Sequence, residues 1–189
     1  MSNRPFAVGI SGGTCSGKST ITDMLEDTLS KKYKVSVLRM DDYYQWDAMK
    51  TIAPITRIEY PEHNHPDAVD MDKLYKDFTA VISDKTNDVV LIEGVFSLYL
   101  DQIREKLDFK IFIDLKSDER LYRRIQRMMA FGETLDEIAL RYLDTVRYRH
   151  DEFVEPTRWH ADIVINGNAD ANSGAGIIAS YIEGQLQKK

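Results

Sequence analysis

The sequence predicts an α/β fold: a parallel sheet of about five strands flanked by helices. Three observations carry this expectation. Short apolar runs rich in Val and Ile recur along the chain, as strands covered on both faces require. Amphipathic helical patterns alternate with them, which is the order that builds a parallel sheet. The first apolar run also passes through a glycine-rich turn, Gly12-Gly13-Thr14-Cys15-Ser16-Gly17-Lys18-Ser19, straight into a helical pattern. Strands are expected near Phe6–Ser11, Val35–Met40, Val89–Glu93, Phe109–Leu115 and Ala161–Asn166. Helices are expected near Ser19–Lys31, Met71–Ile82, Leu98–Lys106, Asp118–Ala130, Leu135–Phe153 and Ser173–Gln187. One long irregular stretch, Asp41 to Val69, interrupts the alternation, and a loop of that length is usually functional or mobile.

The chain has 189 residues, a length that predicts one domain, residues 1–189, with a proper core. A net charge of −6 argues against a long nucleic-acid partner. Cys15 is the single cysteine, so no intrachain disulfide is available and a reducing compartment is expected. The N-terminus lacks an apolar leader, and no apolar run reaches the roughly 18 residues of a membrane span. The expected address is therefore the cytoplasm, with no membrane partner. Composition leaves a homo-oligomer open.

The glycine-rich turn fits G-x-x-x-x-G-K-[ST] in the context that motif needs, strand before and helix after. An ordinary Gly/Ser turn would match those four fixed positions in about one chain in a hundred or fewer. The physics is anion capture. Glycines let the backbone wrap a phosphate chain, and unpaired N–H groups at the helix start point inward. Gly12, Gly13, Thr14, Cys15, Ser16, Gly17, Lys18, Ser19 and Thr20 are thus the expected ATP-binding residues of a P-loop NTPase fold. Lys18 would reach the β- and γ-phosphates, and the Ser19 hydroxyl would ligate Mg²⁺.

In open parallel sheets, ligands bind at the carboxyl ends of the strands, and here those ends carry acids. Asp41 and Asp42 follow the second strand, and Glu93 follows Val89-Val90-Leu91-Ile92. Phosphoryl transfer to a hydroxyl needs one carboxylate to take the proton and another to hold Mg²⁺. Asp41 suits the first task and Glu93 the second, whereas Asp114 and Asp118 read as caps. Arg120, Arg123, Arg124 and Arg127 recur at helical spacing as a basic stripe, which beside a phosphate loop would neutralise phosphates. Phe131-Gly132-Glu133-Thr134 breaks that helix, and Thr134 with Glu137 forms a capping-box pattern. The two helices read as a lid over about residues 118–150. Tyr43, Tyr44, Trp46 and Tyr60 are candidates to stack on a flat base, with core packing the equal alternative for Tyr43 and Tyr44. His63-x-His65 lacks a third ligand and is a weak zinc signal.

The chain resembles the uridine kinase group of P-loop kinases, with nicotinamide riboside kinases and phosphoribulokinases as cousins. The phosphate loop from Gly9 to Ser19 carries the first match. Asp41-Asp42-Tyr43-Tyr44 resembles D-x-F-Y, whose first Asp is the base in that family. His65-Pro66-Asp67-Ala68-Val69-Asp70 resembles H-P-D-A-F-D, and Val90-Leu91-Ile92-Glu93-Gly94 resembles the strand ending in E-G. Arg120-Leu121 with Arg123-Arg124 resembles R-L-x-R-R, with Arg127 as the next family arginine. Glu155-Pro156-Thr157-Arg158 with Ala161-Asp162 resembles E-P-T-K…A-D.

That resemblance implies an ATP- and Mg²⁺-dependent kinase acting on a primary hydroxyl of a small ribose-containing acceptor, most simply uridine or cytidine. It implies Asp41 as base and Lys18 as a catalytic cation. Arg123 would lie on the nucleotide and Arg127 over the transferring group. Tyr44, His63 and Asn64 would join Asp41 and Arg127 around the acceptor. Several departures bear on the substrate. The base-reading hairpin between the second helix and third strand is absent from Met71–Asp88. The family's ribose-binding Asp is Asn64, the lid's R-G-R is Phe131-Gly132-Glu133, and the family's Q-Y is Arg141-Tyr142. A nicotinamide riboside kinase-like or other small-metabolite kinase is the alternative. From a different class, a catalytically inactive nucleotide-binding protein is the competitor. A GTPase switch is disfavoured, because neither N-K-x-D nor D-x-x-G occurs.

Overall fold

The computed structural model describes residues 4–46 and 49–188. Along the chain, β1 (Phe6–Gly12) leads through the glycine turn into α1 (Lys18–Leu29) and then β2 (Val35–Arg39). A hairpin of β3 (Lys50–Ile52) and β4 (Glu59–Pro61) comes next, followed by α2 (Met71–Ser83) and β5 (Val89–Glu93). Then come α3 (Asp101–Arg104), β6 (Phe109–Asp114), α4 (Ser117–Met129), α5 (Leu135–Arg141), α6 (Arg147–Arg149), β7 (Ile163–Asn166) and α7 (Ala171–Leu186). Five of the strands form one sheet in the order β2-β5-β1-β6-β7, and every pairing in it is parallel.

The apolar runs explain that order. β1 is buried along its whole length, so it takes the central position, where both faces are covered. On one face Val8 and Ile10 pack with Ile21 and Leu25 of α1 and with Ile178 of α7. On the other, Ala7 and Ile92 pack with Leu74 and Phe78 of α2 and with Phe96. Fully burying a side chain such as Leu25 or Phe78 contributes about 1.5–3 kcal/mol. The central β1 ends in the crevice where parallel sheets bind ligands.

Three expectations are corrected. The stretch from Asp41 to Val69 is not irregular: it holds the β3–β4 hairpin, in register Thr51 with Tyr60. Residues 47 and 48 of that stretch lie outside the described residues. Its ends are tied together, since Tyr44 bridges Val69, Gln45 N–H donates to Ala68 O and Asp70 N–H to Tyr43 O. The helix expected over Leu98–Lys106 shrinks to Asp101–Arg104. Ser97 Oγ donates to Ile10 O and Gly94 O there, so turns take the apolar residues into the core instead. The helix expected over Leu135–Phe153 is interrupted by two wide i→i+5 turns, Tyr142–Val146 and His150–Val154.

Candidate active site

The phosphate loop folds as its glycines require. Gly17, the residue before α1, has φ +106°, a left-handed conformation that glycine takes without steric cost. A Cβ on Gly13 would come within 2.4 Å of an Arg120 guanidinium nitrogen, so only glycine lets that cation lie against the loop. Arg120 is almost fully buried, and its Nε donates to Leu115 O at 3.0 Å. It therefore leaves the expected surface stripe and sits as a fixed positive charge beside the loop. Lys18 Nζ curls over the loop and donates to Gly13 O at 3.0 Å. Burial pushes the Lys18 ammonium below its ordinary pKa, with Glu93 and Asp41 opposing.

A cavity of about 600 Å³ opens above the loop, lined by its residues, by Asp41 in the turn after β2 and by Glu93 at the end of β5. Ser19 Oγ donates to Glu93 Oε1 at 3.1 Å. Burial pushes the Glu93 carboxyl above the usual carboxylate range, with Lys18 opposing and Asp41 adding to the rise. A hydroxyl and a desolvated carboxylate in contact, beside a lysine, are the hard oxygen donors that suit Mg²⁺. Among the described residues no cluster of three or more His, Cys, Asp or Glu forms a metal site. His65 is spoken for: its Nδ1 accepts from Asp67 N–H and its ring packs edge-on against Phe153.

Asp41 lines the cavity and Asp42 does not. The single turn Met40–Tyr43 separates them, with the Asp41 charge acting on Lys18 and Glu93 and the Asp42 charge on Tyr43. Tyr43 is a core residue whose hydroxyl donates to Asp77. Tyr44 instead faces the cavity, and burial with the charges of Asp41 and Glu62 raises its phenol pKa. Tyr44 stacks on Trp46 at 5.1 Å, and Trp46 meets His63 edge-on at 5.1 Å. These three rings and Asn64 line one side of the cavity. Tyr60 is turned away to donate to Asp144 Oδ2.

The arginines divide. Arg123 donates to Gly167 O and Asn168 Oδ1, and Arg124 donates to Thr14 Oγ1 at 3.3 Å. Arg127 lines the cavity. Arg141, which sequence reasoning left outside the site residues, lines it too and is paired with Glu133. Counted together in the lining, the cations Lys18, Arg123, Arg124, Arg127 and Arg141 outnumber the acids Asp41, Glu93 and Glu133. The cavity is therefore cationic in a chain of net charge −6, which suits a polyphosphate.

Of the residues expected to bind ATP, Thr14, Cys15, Gly17, Lys18, Ser19, Thr20 and Arg123 line the cavity, while Gly12, Gly13 and Ser16 do not. Glu62 and His150 were missed. Glu62 is fully buried, accepting from Arg149 Nε at 2.9 Å and from Asn64 N–H at 2.7 Å. No local pattern marks either residue.

Residues 80–172 match the phosphoribulokinase / uridine kinase family. The chain is similar to a uridine kinase from Lactiplantibacillus plantarum, 33% identical over 185 residues that cover 86% of this chain and 87% of that one. It is also similar to a uridine kinase from Limosilactobacillus reuteri, 29% identical over 212 residues, covering 100% of this chain and 95% of that one. In fold alone, it resembles the solved structure of shikimate kinase from Acinetobacter baumannii in complex with shikimate. That likeness has a TM-score of 0.55 at 15% identity, covering 96% of this chain and 94% of that chain. With its phosphate loop at the mouth of a five-stranded parallel sheet, this chain belongs to the phosphoribulokinase / uridine kinase family of P-loop kinases.

Proposed function

We propose that this chain is an ATP-dependent nucleoside kinase, transferring the γ-phosphoryl group to a primary hydroxyl of a ribonucleoside, with uridine the best-supported acceptor. The reading rests on one observation above all. A carboxylate, Asp41, lines the same cavity as the Lys18–Ser19–Glu93 phosphate end. Asp41 would take the proton of the attacking hydroxyl. Lys18, Arg123 and Arg127 would neutralise phosphate charge, and Tyr44, His63 and Asn64 would seat the nucleoside. Ser19 and Glu93 would hold Mg²⁺, which when bound draws charge from the phosphate oxygens. The whole chain would act as one catalytic domain whose lid, about residues 118–150, closes over the nucleotide. No helix among the described residues is long and apolar enough to cross a membrane, in keeping with a cytoplasmic enzyme.

ADP release across uridine, cytidine, nicotinamide riboside and pantothenate tests the reading. Turnover on uridine or cytidine is expected, and no turnover on either would overturn it. Lys18→Ala should cost at least ~10²-fold in turnover, the scale of losing one preorganised electrostatic donor. Asp41→Asn should cost about 10²–10⁴-fold while leaving ATP affinity nearly intact. A collapse in Asp42→Asn but not in Asp41→Asn would move the base by one residue.

A further inference from the structure

Arg120 carries a buried charge that no group of opposite sign meets. The residue is only 4% exposed, yet among the described residues no carboxylate pairs with it. Its Nε donates to a neutral carbonyl, Leu115 O, at 3.0 Å. Its Nη1 is buried and has no hydrogen-bond partner among the described residues. Glu62 shows the contrast, since that buried carboxylate is held by Arg149. Nothing in the proposed chemistry uses Arg120.

The titratable groups around it supply no counter-charge. Lys18 is a second buried cation, and burial, with Arg120 adding to it, lowers its pKa against the pull of Glu93 and Asp41. Burial raises the Tyr142 phenol, which stays protonated and donates to Ser117 O. Burial, then the charges of Arg120 and Lys18, push His150 down to about 3, so its ring is neutral near pH 7. A guanidinium taken out of water without a carboxylate destabilises a fold, and an apolar residue of similar volume in its place is often the more stable. A charge kept under those conditions points to a counter-charge that arrives with a ligand.

Its place in the fold names that ligand. A Cβ on Gly13 would stand 2.4 Å from Nη1, 2.8 Å from Cδ and 2.9 Å from Cζ of Arg120, so the guanidinium lies against the phosphate loop. Thr14, Cys15 and Gly17 to Thr20 of that loop line the cavity, and Arg120 does not. Arg120 therefore acts on a ligand through the loop and not by contact. In a poorly solvated site such a charge acts at close to full strength, and a fixed one needs no reorganisation when the ligand enters. We infer that Arg120 is a positioning residue for the polyphosphate: unmatched in the empty protein, its charge attracts the phosphates from behind Gly13, and the bound nucleotide is its counter-charge. This rests on ATP as the ligand of the loop and is independent of which acceptor is phosphorylated.

Thermal melts and calorimetric binding of the full chain test this with three variants. Arg120→Gln keeps a donor for Leu115 O without the charge, Arg120→Met is apolar and of similar length, and Arg120→Lys keeps the charge. Without nucleotide, Arg120→Gln and Arg120→Met should melt at least ~2 °C above wild type, because each removes an unmatched buried charge. Their ATP affinity should fall at least ~10-fold, the scale of one unit charge acting across a loop at an effective dielectric of about 20. The loss should be smaller for ADP and absent for uridine, which has no charge to attract. Arg120→Lys should recover part of the ATP affinity. A role in packing alone predicts the opposite sign in the empty protein. If Arg120→Gln fails to fold because its amide is misplaced, Arg120→Met still decides. Both variants melting below wild type or failing to fold would overturn the proposal, and so would ATP affinity unchanged in either. A wild type that binds no ATP would remove the parent reading instead, a distinct outcome.

Discussion

At the scale of single residues, the site holds charges that the fold alone does not favour. Burial lowers the Lys18 pKa and raises that of Glu93, and in each case the partner is the first opposing influence. For Glu93 the folded state prefers the protonated acid. Its contribution is present below the unfolded pKa and lost as pH rises through the higher folded value. For Lys18 the folded state prefers the neutral amine, so its contribution is present above the unfolded pKa and lost as pH falls through the lower folded value. Near neutral pH both charges thus strain the free enzyme, and each is tolerated because of the other. Lys18→Met and Glu93→Gln should each strand a buried charge, while the double variant strands neither. We expect the double variant to be more stable than the sum of the singles by about 1 kcal/mol or more. Urea denaturation of the four proteins measures this, and strict additivity would mean the pair is uncoupled. Lys18, Ser19 and Glu93 were legible in the sequence because the motif and the strand tip fix their backbone positions. Arg120 was only partly legible: periodicity put it on a helix face, but its burial against Gly13 depends on a glycine more than a hundred residues away.

At the scale of elements, the β3–β4 hairpin is what the sequence concealed. Its strands are three residues each, Pro54 and Pro61 break the pattern, and no two-residue Asn-Gly turn announces it. Long-range polar contacts secure it. Thr56 Oγ1 and Tyr60 OH both donate to Asp144 Oδ2, and Arg149 donates to Thr51 Oγ1 and Glu62. Hydrophobic periodicity carries no information about such pairs. The hairpin is thereby docked on the helical turns of residues 142–154, and through Glu62 it fixes Asn64. Arg149→Met should leave the Glu62 carboxylate buried without its counter-charge. Loss of one partner of a buried pair costs about 3–5 kcal/mol, and because Arg149 is a quarter exposed we expect about 2–4. Acceptor KM should rise more than kcat falls, since Glu62, which holds the Asn64 N–H, is no longer held in place by Arg149. Denaturation and initial-rate measurements check both parts. A fall in stability with KM unchanged would make the hairpin a scaffold with no part in acceptor binding.

At the scale of the whole molecule, the parallel sheet was legible because doubly covered strands read as uninterrupted apolar runs. The wide turns after α5 were not. They bury Asp144 and His150, polar residues that a pattern of apolar side chains never selects. This has a consequence for how the protein meets acid. The groups facing His150 are Arg120, Lys18 and Glu155, and the ring stays neutral in the fold down to about pH 3. In the unfolded chain it takes a proton near its ordinary value of 6.5. Its contribution to stability is therefore full above that value and is lost progressively as pH falls toward about 3. One proton taken up only by the unfolded chain steepens the decline by at most about 1.4 kcal/mol per pH unit. Denaturant melts of wild type and His150→Phe at pH 7, 6, 5 and 4 isolate this term, because the carboxylates that also titrate there are common to both. The variant should lose stability less steeply with acid. Equal slopes would mean that the folded ring takes its proton at the same pH as the unfolded one, so that below about 6.5 its contact with Glu155 becomes an ion pair.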